Sequence, residues 1–206
     1  MMQRPGKIVC VGRNYREHAK ELGNEVPKQP LLFLKPPSSI IHEGDAIVLP
    51  AASQKVDYEG EIGVVIGRTL RRGSREAARE AVGGIVALND VTARDLQKSD
   101  GQWTRAKGFD TFCPVGVPSS TFPKDFATLT VVTRVNGEER QRATGADMVF
   151  PIDELLSYIS HVMTLEPGDL VATGTPSGVG PLAPGDTVEV EVLGVSCVRN
   201  TVAAER

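Results

Sequence analysis

Three features that define other protein classes are missing from this chain of 206 residues: long apolar runs, paired cysteines and a strong net charge. No apolar run approaches the roughly 20 residues of a membrane-spanning helix, and no long apolar signal region opens the sequence, so we expect no membrane partner. Cys10, Cys113 and Cys197 are widely spaced and form no CxxC pair, which favours a reducing, cytoplasmic location. The 23 basic and 26 acidic residues leave a net charge of −3, which argues against nucleic-acid binding.

Nucleotide-binding signatures are also missing. The glycine-rich stretch at 174–180, Gly-Thr-Pro-Ser-Gly-Val-Gly, lacks the Gly-Lys-Ser/Thr of a phosphate-binding loop and does not fit GxGxxG at the start of a helix. Such a loop still offers backbone N–H groups, and Thr175 a hydroxyl, to a carboxylate. A ligand with a carboxylate is therefore favoured over a nucleotide.

The secondary-structure pattern predicts about a dozen short strands and three helices, at 13–23, 71–82 and 151–163. Residues 128–144 carry the strongest hairpin signal, with Asn136 and Gly137 at the turn. Because helices do not alternate regularly with strands, we predict a mainly β, α+β fold of the mixed β-sandwich or roll type. The length fits one domain, 1–206.

The stretch 57–67 reads as a strand with its charged side chains on one face. Glu59 and Glu61 are two residues apart and should project the same way, while the alternate apolar positions face a core. Asp90 ends another predicted strand, 84–90. Three carboxylates without nearby cysteine or histidine suit a hard cation, Mg²⁺ or Mn²⁺. The alternative is that Glu59 and Glu61 only line the wet face of a half-exposed strand.

The predicted helix at 13–23 is short and carries a histidine–glutamate pair. Asn14 is a suitable N-cap, and Gly23 is placed to end the helix. His18 and Glu21 are three residues apart and so are neighbours on one helix face. A carboxylate beside an imidazole raises its basicity and fixes its tautomer, as in a general base. The alternative is a solvated surface pair.

Two further features are candidates for a site. Residues 91–111 are polar and irregular, and we predict a long functional loop there. Lys35 closes the apolar run 31–34, and its ammonium either points into a site or lies at the edge of the strand.

Taken together, these motifs resemble the fumarylacetoacetate hydrolase family, in its short acylpyruvase-like form. The matching segments are Val-Gly-Arg-Asn-Tyr at 11–15 with His18 and Glu21, Phe-Leu-Lys-Pro at 33–36, Asp-Tyr-Glu-Gly-Glu at 57–61, Asn-Asp-Val-Thr-Ala-Arg-Asp-Leu-Gln at 89–97, Lys-Gly-Phe-Asp-Thr at 107–111, and residues 165–169 with 174–180. They span nearly the whole chain in the order that the family shows.

The resemblance implies a homodimer and a mixed β-roll, with Mg²⁺ or Mn²⁺ bound by Glu59, Glu61 and Asp90. It implies that residues 13–23 form a lid over the ligand. It also implies that four side chains contact the substrate, namely Arg94, Gln97, Lys107 and Thr175, and to these we add Lys35 as a candidate. In the expected reaction His18, oriented by Glu21, takes a proton from water, and Lys107 offsets the developing negative charge.

The leading functional hypothesis is an enzyme of the hydrolase type that cleaves the C–C bond of acylpyruvates to give pyruvate and a carboxylic acid, with oxaloacetate decarboxylation as a side reaction. The alternatives are oxaloacetate tautomerase and 2-hydroxyhepta-2,4-diene-1,7-dioate isomerase or decarboxylase. A metal-stabilised binding domain without catalysis is the alternative outside the enzymes. In each enzymatic case the partner is a small 2-oxo acid.

Overall fold

The computed structural model describes residues 4–21, 23 and 25–205. In that part of the chain the α-helices are α1 (Arg16–Glu21), α2 (Arg75–Ala81), α3 (Arg94–Asp100), α4 (Thr104–Gly108) and α5 (Ile152–Val162). The strands are β1 (Ile8–Gly12), β2 (Leu31–Lys35), β3 (Ile40–Ile41), β4 (Ala46–Leu49), β5 (Val56–Tyr58), β6 (Gly60–Ile66), β7 (Val82–Asn89), β8 (Thr92–Ala93), β9 (Cys113–Pro114), β10 (Thr130–Val135), β11 (Glu138–Thr144), β12 (Leu170–Ala172), β13 (Gly180–Pro181), β14 (Thr187–Val192) and β15 (Ser196–Ala204). The predicted α+β class, mainly β with a few helices, is confirmed.

Two five-stranded sheets make up most of the fold. The first has the strand order β2-β1-β12-β6-β7 and the second the order β11-β10-β14-β15-β4. Both are mixed, because β1 runs parallel to β12 and β15 runs parallel to β4, whereas the other neighbours are antiparallel. Two smaller sheets, β13-β5-β8 and β3-β9, complete the arrangement.

The main core lies between the two large sheets and against α5. It takes side chains from β6 in the first sheet and from β14 in the second, together with the apolar stripe of α5. The alternate apolar positions of β6, which the pattern predicted to face a core, are buried there: Ile62, Val64 and Ile66. Burying that face leaves the polar residues of the same strand on the other side, where the candidate site lies.

The predicted hairpin is confirmed. Strands β10 and β11 pair antiparallel, and the turn residues Asn136 and Gly137 have φ of 53° and 81°. Both values lie in the left-handed region, which asparagine and glycine adopt more readily than other residues. The local sequence is therefore sufficient to specify this element.

Other local predictions need correction. Residues 91–111 are not a long loop, because they contain β8, α3 and α4. Asn14 does not cap α1: its side-chain amide donates to the carbonyl oxygens of Phe150 and Thr173, which ties the start of the segment to distant parts of the chain. Gly23 follows the helix with φ of 67°, and its N–H donates to Lys20 O, as expected for a helix end. Leu22, within the predicted helix, and residues 1–3, 24 and 206 of the predicted domain lie outside the described residues.

The register between β6 and β7 brings the acidic residues together. Gly60 pairs with Asn89. Two further hydrogen bonds join Glu59 to the end of β7 and to Asp90. The Glu59 N–H donates to Asn89 Oδ1 at 2.9 Å, and the Asp90 N–H donates to Glu59 O at 2.8 Å. The predicted continuous strand 57–67 is interrupted at Glu59, between β5 and β6, yet Glu59 and Glu61 still reach the same site. No helix in the described ranges combines the length and the apolar character needed to cross a membrane.

Candidate active site and metal centre

A cavity of about 460 Å³ opens at the end of the first sheet. Its walls come from the ends of β1 and β6, from α1, α3 and α4, and from the glycine-rich loop after β12. It collects nine of the ten residues that the sequence predicted for the site, namely His18, Glu21, Glu59, Glu61, Asp90, Arg94, Gln97, Lys107 and Thr175. Residues that are up to 157 positions apart in the chain therefore share one cavity, whose chemistry can be derived from their contacts.

Three carboxylates converge at the base of the cavity. One oxygen from each of Glu59, Glu61 and Asp90 lies within 4.8 Å of the others. The three residues are 4%, 2% and 1% exposed. Buried carboxylates this close repel one another unless positive charge compensates them.

Lys107 and Arg94 supply part of that positive charge. The Lys107 ammonium bridges Glu59 Oε2 at 2.7 Å and Asp90 Oδ2 at 2.6 Å, and Arg94 Nη2 lies 2.5 Å from Glu59 Oε1. Burial alone would raise the pKa of Glu59, but Arg94 and Lys107 hold it below its usual value. Burial disfavours the charge on Lys107, whereas Asp90 and Glu59 raise its pKa. These groups are therefore held as ion pairs.

Glu61 has no such ion pair among the described residues. Its Oε2 accepts a hydrogen bond of 2.7 Å from the backbone N–H of Gly174. Burial raises the pKa of Glu61 well above its usual value, and the neighbouring charges of Asp90 and Glu59 raise it further. Glu61 is thus the carboxylate of the triad whose charge is least compensated.

The charges around the triad do not balance, and a cation would correct this. The buried group contains four carboxylates, namely the triad and Asp57, which accepts a 2.8 Å bond from Arg94 Nε. It contains three cations, namely Arg94, Lys107 and Lys35, the last of which pairs with Asp90. With all four carboxylates ionised, three minus four leaves a deficit of one positive charge. Oxygen donors alone, with an excess of negative charge, are the donor set that Mg²⁺ and related hard cations prefer. The residues present therefore fit a divalent metal ion.

The histidine–glutamate pair lines the same cavity as the triad. His18 is 4% exposed, and its Nδ1 lies 3.2 Å from Glu21 Oε2. Glu21 also accepts the backbone N–H of Gly178 at 3.0 Å, which joins α1 to the glycine-rich loop. His18 is buried whereas the Glu21 side chain is 34% exposed, so the pair is not the fully solvated surface pair of the alternative. The role of residues 13–23 as a lid stays a prediction.

Lys35 is buried and is not among the residues that line the cavity. Its ammonium donates to Asp90 Oδ1 at 2.8 Å, to Val91 O at 3.3 Å and to Lys107 O at 2.5 Å. An ammonium has three donors, and all three are used by buried acceptors. The expectation that Lys35 contacts the substrate is therefore corrected: it holds Asp90 and the backbone of Lys107 in place.

Thr175 lies on the wall, but its hydroxyl is already engaged. The hydroxyl donates to Gly60 O at 2.9 Å and accepts from Gln141 Nε2 at 2.8 Å. Gln141 in turn accepts the Gly60 N–H at 3.0 Å. This closed set of bonds fixes the glycine-rich loop to the start of β6, next to Glu61.

The sequence predictions missed several residues around the cavity. Asp57 orients Arg94, and the sequence signal for it was its period-2 spacing from Glu59 and Glu61. On the wall itself the missed residues include Arg13, Phe33, Lys98 and Trp103. The three residues of α3 that line the cavity, at 94, 97 and 98, have the i, i+3, i+4 spacing of one helix face. This spacing could not be used in the sequence analysis because the segment was predicted to be a loop.

The site and fold together define a class of protein: an α+β enzyme-type domain in which a buried acidic triad with the donor set of a metal centre faces a histidine–glutamate pair. Residues 7–203 match the family model described as fumarylacetoacetate (FAA) hydrolase C-terminal. The chain belongs to the fumarylacetoacetate hydrolase family, as the sequence motifs indicated.

Individual relatives carry different reaction names. Oxaloacetate tautomerase FAHD1, mitochondrial, of Arabidopsis thaliana is 44% identical over 207 residues, covering 97% of this chain and 92% of the relative. Oxaloacetate decarboxylase, mitochondrial, of Dictyostelium discoideum is 42% identical over 196 residues, covering 92% and 89%. The crystal structure of 5-carboxymethyl-2-hydroxymuconate delta-isomerase from Mycobacterium smegmatis is 43% identical, with a TM-score of 0.91 over 98% of this chain and 80% of that one.

Proposed function

We propose that this protein is a metal-dependent enzyme that interconverts the enol and keto forms of oxaloacetate. The observation that carries the proposal is that the acidic triad and the His18–Glu21 pair line the same cavity. The names of the relatives support oxaloacetate chemistry ahead of the acylpyruvate cleavage expected first from the sequence. Predicted features that the relatives do not test, namely the choice of Mg²⁺ or Mn²⁺ and the homodimer, remain part of the proposal.

In this account Glu59, Glu61 and Asp90 hold the metal ion. A divalent ion at the triad would polarise the 2-oxo group of a bound 2-oxo acid and so make its C3–H more acidic. Lys107, already between Glu59 and Asp90, adds fixed positive charge beside that group. Such preorganised charge stabilises the negative charge that develops when the C3 proton is removed.

His18 carries the proton in the proposed reaction. Because its Nδ1 faces Glu21, the other ring nitrogen, Nε2, is left for the substrate. In the direction from enol to keto, the C2 hydroxyl loses a proton and C3 gains one, with His18 holding the proton between the two events. Glu21 fixes the tautomer and orientation of the ring, and its bond to Gly178 holds the pair against the glycine-rich loop.

Acylpyruvate hydrolysis is the second candidate, and the same pair favours it. A buried histidine oriented by a carboxylate can take a proton from water as readily as from carbon. The hydroxide would attack the distal carbonyl, and the bond between C3 and C4 would break to give a carboxylic acid and the enolate of pyruvate. The proton that His18 took from water would then pass to C3 of the enolate. Both candidates use the same triad and the same histidine. They differ in whether His18 takes its proton from the substrate or from water, and only hydrolysis breaks the bond between C3 and C4.

The test is a side-by-side assay of the wild-type protein with Mg²⁺ and with Mn²⁺. Loss of enol absorbance from freshly dissolved enol-oxaloacetate reports tautomerisation, while pyruvate release from oxaloacetate and from acetylpyruvate reports decarboxylation and hydrolysis. We expect enol loss well above the spontaneous rate, abolished by a chelator and restored by the metal.

His161→Gln provides the matched control, because His161 is exposed on α5, outside the cavity, and should leave the rate unchanged. An enol loss no faster than in buffer would refute the tautomerase proposal. Faster pyruvate release from acetylpyruvate than enol loss from oxaloacetate would make hydrolysis the main reaction.

A further inference from the structure

Gln141 is a buried side chain in a strand that is otherwise mostly exposed. Strand β11 is at the edge of the second sheet, and among its seven residues, all of them described, Gln141 is the one that is buried, with 1% exposure. The charged residues on either side of it, Arg140 and Arg142, are exposed. A buried amide is costly unless its donors and acceptor find partners. The partners of this amide therefore indicate what it does.

The amide of Gln141 joins the acidic triad to the glycine-rich loop. Its Oε1 accepts the N–H of Gly60, the residue between the two glutamates of the triad, at 3.0 Å. Its Nε2 donates to Thr175 Oγ1 at 2.8 Å and to Pro176 O at 2.9 Å. An amide oxygen only accepts and an amide nitrogen only donates, so the Gly60 N–H and the Pro176 carbonyl together fix the orientation of the amide.

A β-bulge in the hairpin lies next to Gln141. Across β10 and β11, Thr133 pairs with Gln141 and Arg134 pairs with Glu139, which leaves Arg140 as an extra residue between the two pairs. An extra residue changes which side chains of a strand face inward, and bulges are frequent beside active sites, where they redirect a side chain. The bulge therefore accounts for a glutamine that points inward from a charged edge strand.

The same hairpin is packed closely against both parts of the site. A Cβ on Gly60 would overlap the Thr133 hydroxyl, and a Cβ on Gly178 would overlap the carbonyl oxygen of Arg140. Backbones approach other groups this closely only where glycine is present. The hairpin thus contacts the metal-ligand strand at Gly60 and the glycine-rich loop at Gly178.

The glycine-rich loop carries one anchoring N–H group at each end. The Gly174 N–H donates to Glu61 Oε2 at 2.7 Å, and the Gly178 N–H donates to Glu21 Oε1 at 3.0 Å. Gln141 binds the two residues that follow Gly174, between these donors. A shift of the loop would therefore disturb a carboxylate of the triad and the carboxylate of the histidine–glutamate pair together.

We propose that Gln141 is a positioning residue that holds the acidic triad and the His18–Glu21 pair in a fixed relative position, a role whose catalytic half rests on the proposed function. Gln141 is not among the described residues that line the cavity, so it acts through Gly60 and the loop and does not touch the substrate. Loss of its amide should therefore weaken metal binding and slow turnover, with little effect on substrate affinity.

Gln141→Met keeps the length of the side chain and removes all three hydrogen bonds. We expect its Mg²⁺ and Mn²⁺ affinities to fall about tenfold, as is typical when a group that supports metal ligands is lost. Hydrogen exchange of residues 173–180 in the metal-free protein should become about tenfold faster, because the loop opens more often without these bonds. Calorimetric metal titration and hydrogen exchange followed by mass spectrometry measure the two effects without reference to any reaction.

Turnover gives a third readout for the same variant. At saturating metal, kcat for enol-oxaloacetate should fall about tenfold in Gln141→Met, because small displacements of catalytic groups slow a reaction strongly. KM should stay within about twofold, because Gln141 is outside the cavity. Gln141→Asn, whose amide is one methylene shorter and cannot reach both Gly60 and Pro176, should give the same pattern with about threefold effects, and it serves if Gln141→Met does not fold.

Two controls separate positioning from stability. Val131→Ala removes a core side chain from β10, in the same hairpin, and should lower the thermal stability while metal affinity, loop exchange and kcat stay as in the wild type. Gln29→Met makes the same substitution at an exposed glutamine outside the cavity and should change none of these quantities.

A lower thermal stability in Gln141→Met, with metal affinity and loop exchange as in the wild type, would make Gln141 structural only and overturn the inference. Equal changes in Gln141→Met and Val131→Ala would overturn it as well. A wild-type protein that does not convert enol-oxaloacetate refutes the proposed function, whereas metal affinity and loop exchange in the variants still support or overturn the role of Gln141.

Discussion

Replacing Glu61 with glutamine is expected to weaken Mg²⁺ and Mn²⁺ binding by at least about 100-fold while leaving the metal-free protein as stable as the wild type, or more stable. Loss of a group that only supports a metal ligand typically lowers metal affinity by about 10–100-fold, and replacing a ligand itself should lower the affinity by at least as much. The stability should not fall, because Glu61 has no ion pair to lose and sits beside two like charges. An amide oxygen can still accept the Gly174 N–H, which preserves the local hydrogen bond.

Calorimetric metal titration measures the expected loss of metal affinity. Thermal unfolding in the presence of a chelator measures the stability of the metal-free protein. Glu80→Gln, at an exposed glutamate of α2, removes the same charge away from the site and should leave metal affinity unchanged. A Glu61→Gln protein that binds metal like the wild type would remove Glu61 from the metal centre. One that fails to fold would make Glu61 a structural residue.

Replacing His18 with glutamine is expected to lower turnover of enol-oxaloacetate by about 10²–10⁴-fold, the range typical for loss of a general acid–base group. Metal affinity should stay within about twofold, because His18 is not one of the three residues of the acidic triad. Glutamine keeps a polar side chain of similar reach but has no nitrogen that takes up a proton near neutral pH. The measurements are initial rates at saturating metal, with metal titration of the same preparation.

A second variant separates the contribution of the Glu21 carboxylate to the rate from that of the His18 imidazole. Glu21→Gln should retain the bond from Gly178 while losing the carboxylate that orients the imidazole, so its rate should fall between those of the wild type and His18→Gln. Wild-type turnover in His18→Gln would exclude His18 as the proton carrier, and another group on the cavity wall would have to replace it.

The features of the candidate site that depend on local spacing could be predicted from the sequence. Glu59 and Glu61 are two residues apart, and His18 and Glu21 are three apart, so each pair could be assigned to one face before any tertiary structure was considered. The same holds for the hairpin turn at Asn136 and Gly137, where the residue types alone favour a left-handed backbone. These predictions required only the repeat of a strand or a helix.

The features that sequence reasoning missed depend on contacts between distant residues. Asn14 is a good N-cap by type, but its amide is used by Phe150 and Thr173, which are more than 130 residues away. Lys35 ends an apolar strand in a manner typical of a surface lysine, yet three buried acceptors from residues 90, 91 and 107 surround its ammonium. The helices α3 and α4 are seven and five residues long, too short to be stable alone, so tertiary packing and not intrinsic propensity determines them.

The most direct measurement is a crystal structure of the protein soaked with Mn²⁺ and oxalate, with anomalous diffraction used to locate the metal. We expect a single strong anomalous peak within bonding distance of carboxylate oxygens from Glu59, Glu61 and Asp90, with oxalate on the cavity side of the ion. An anomalous peak bound elsewhere, or no metal ion among the three carboxylates at saturating Mn²⁺, would contradict this metal centre.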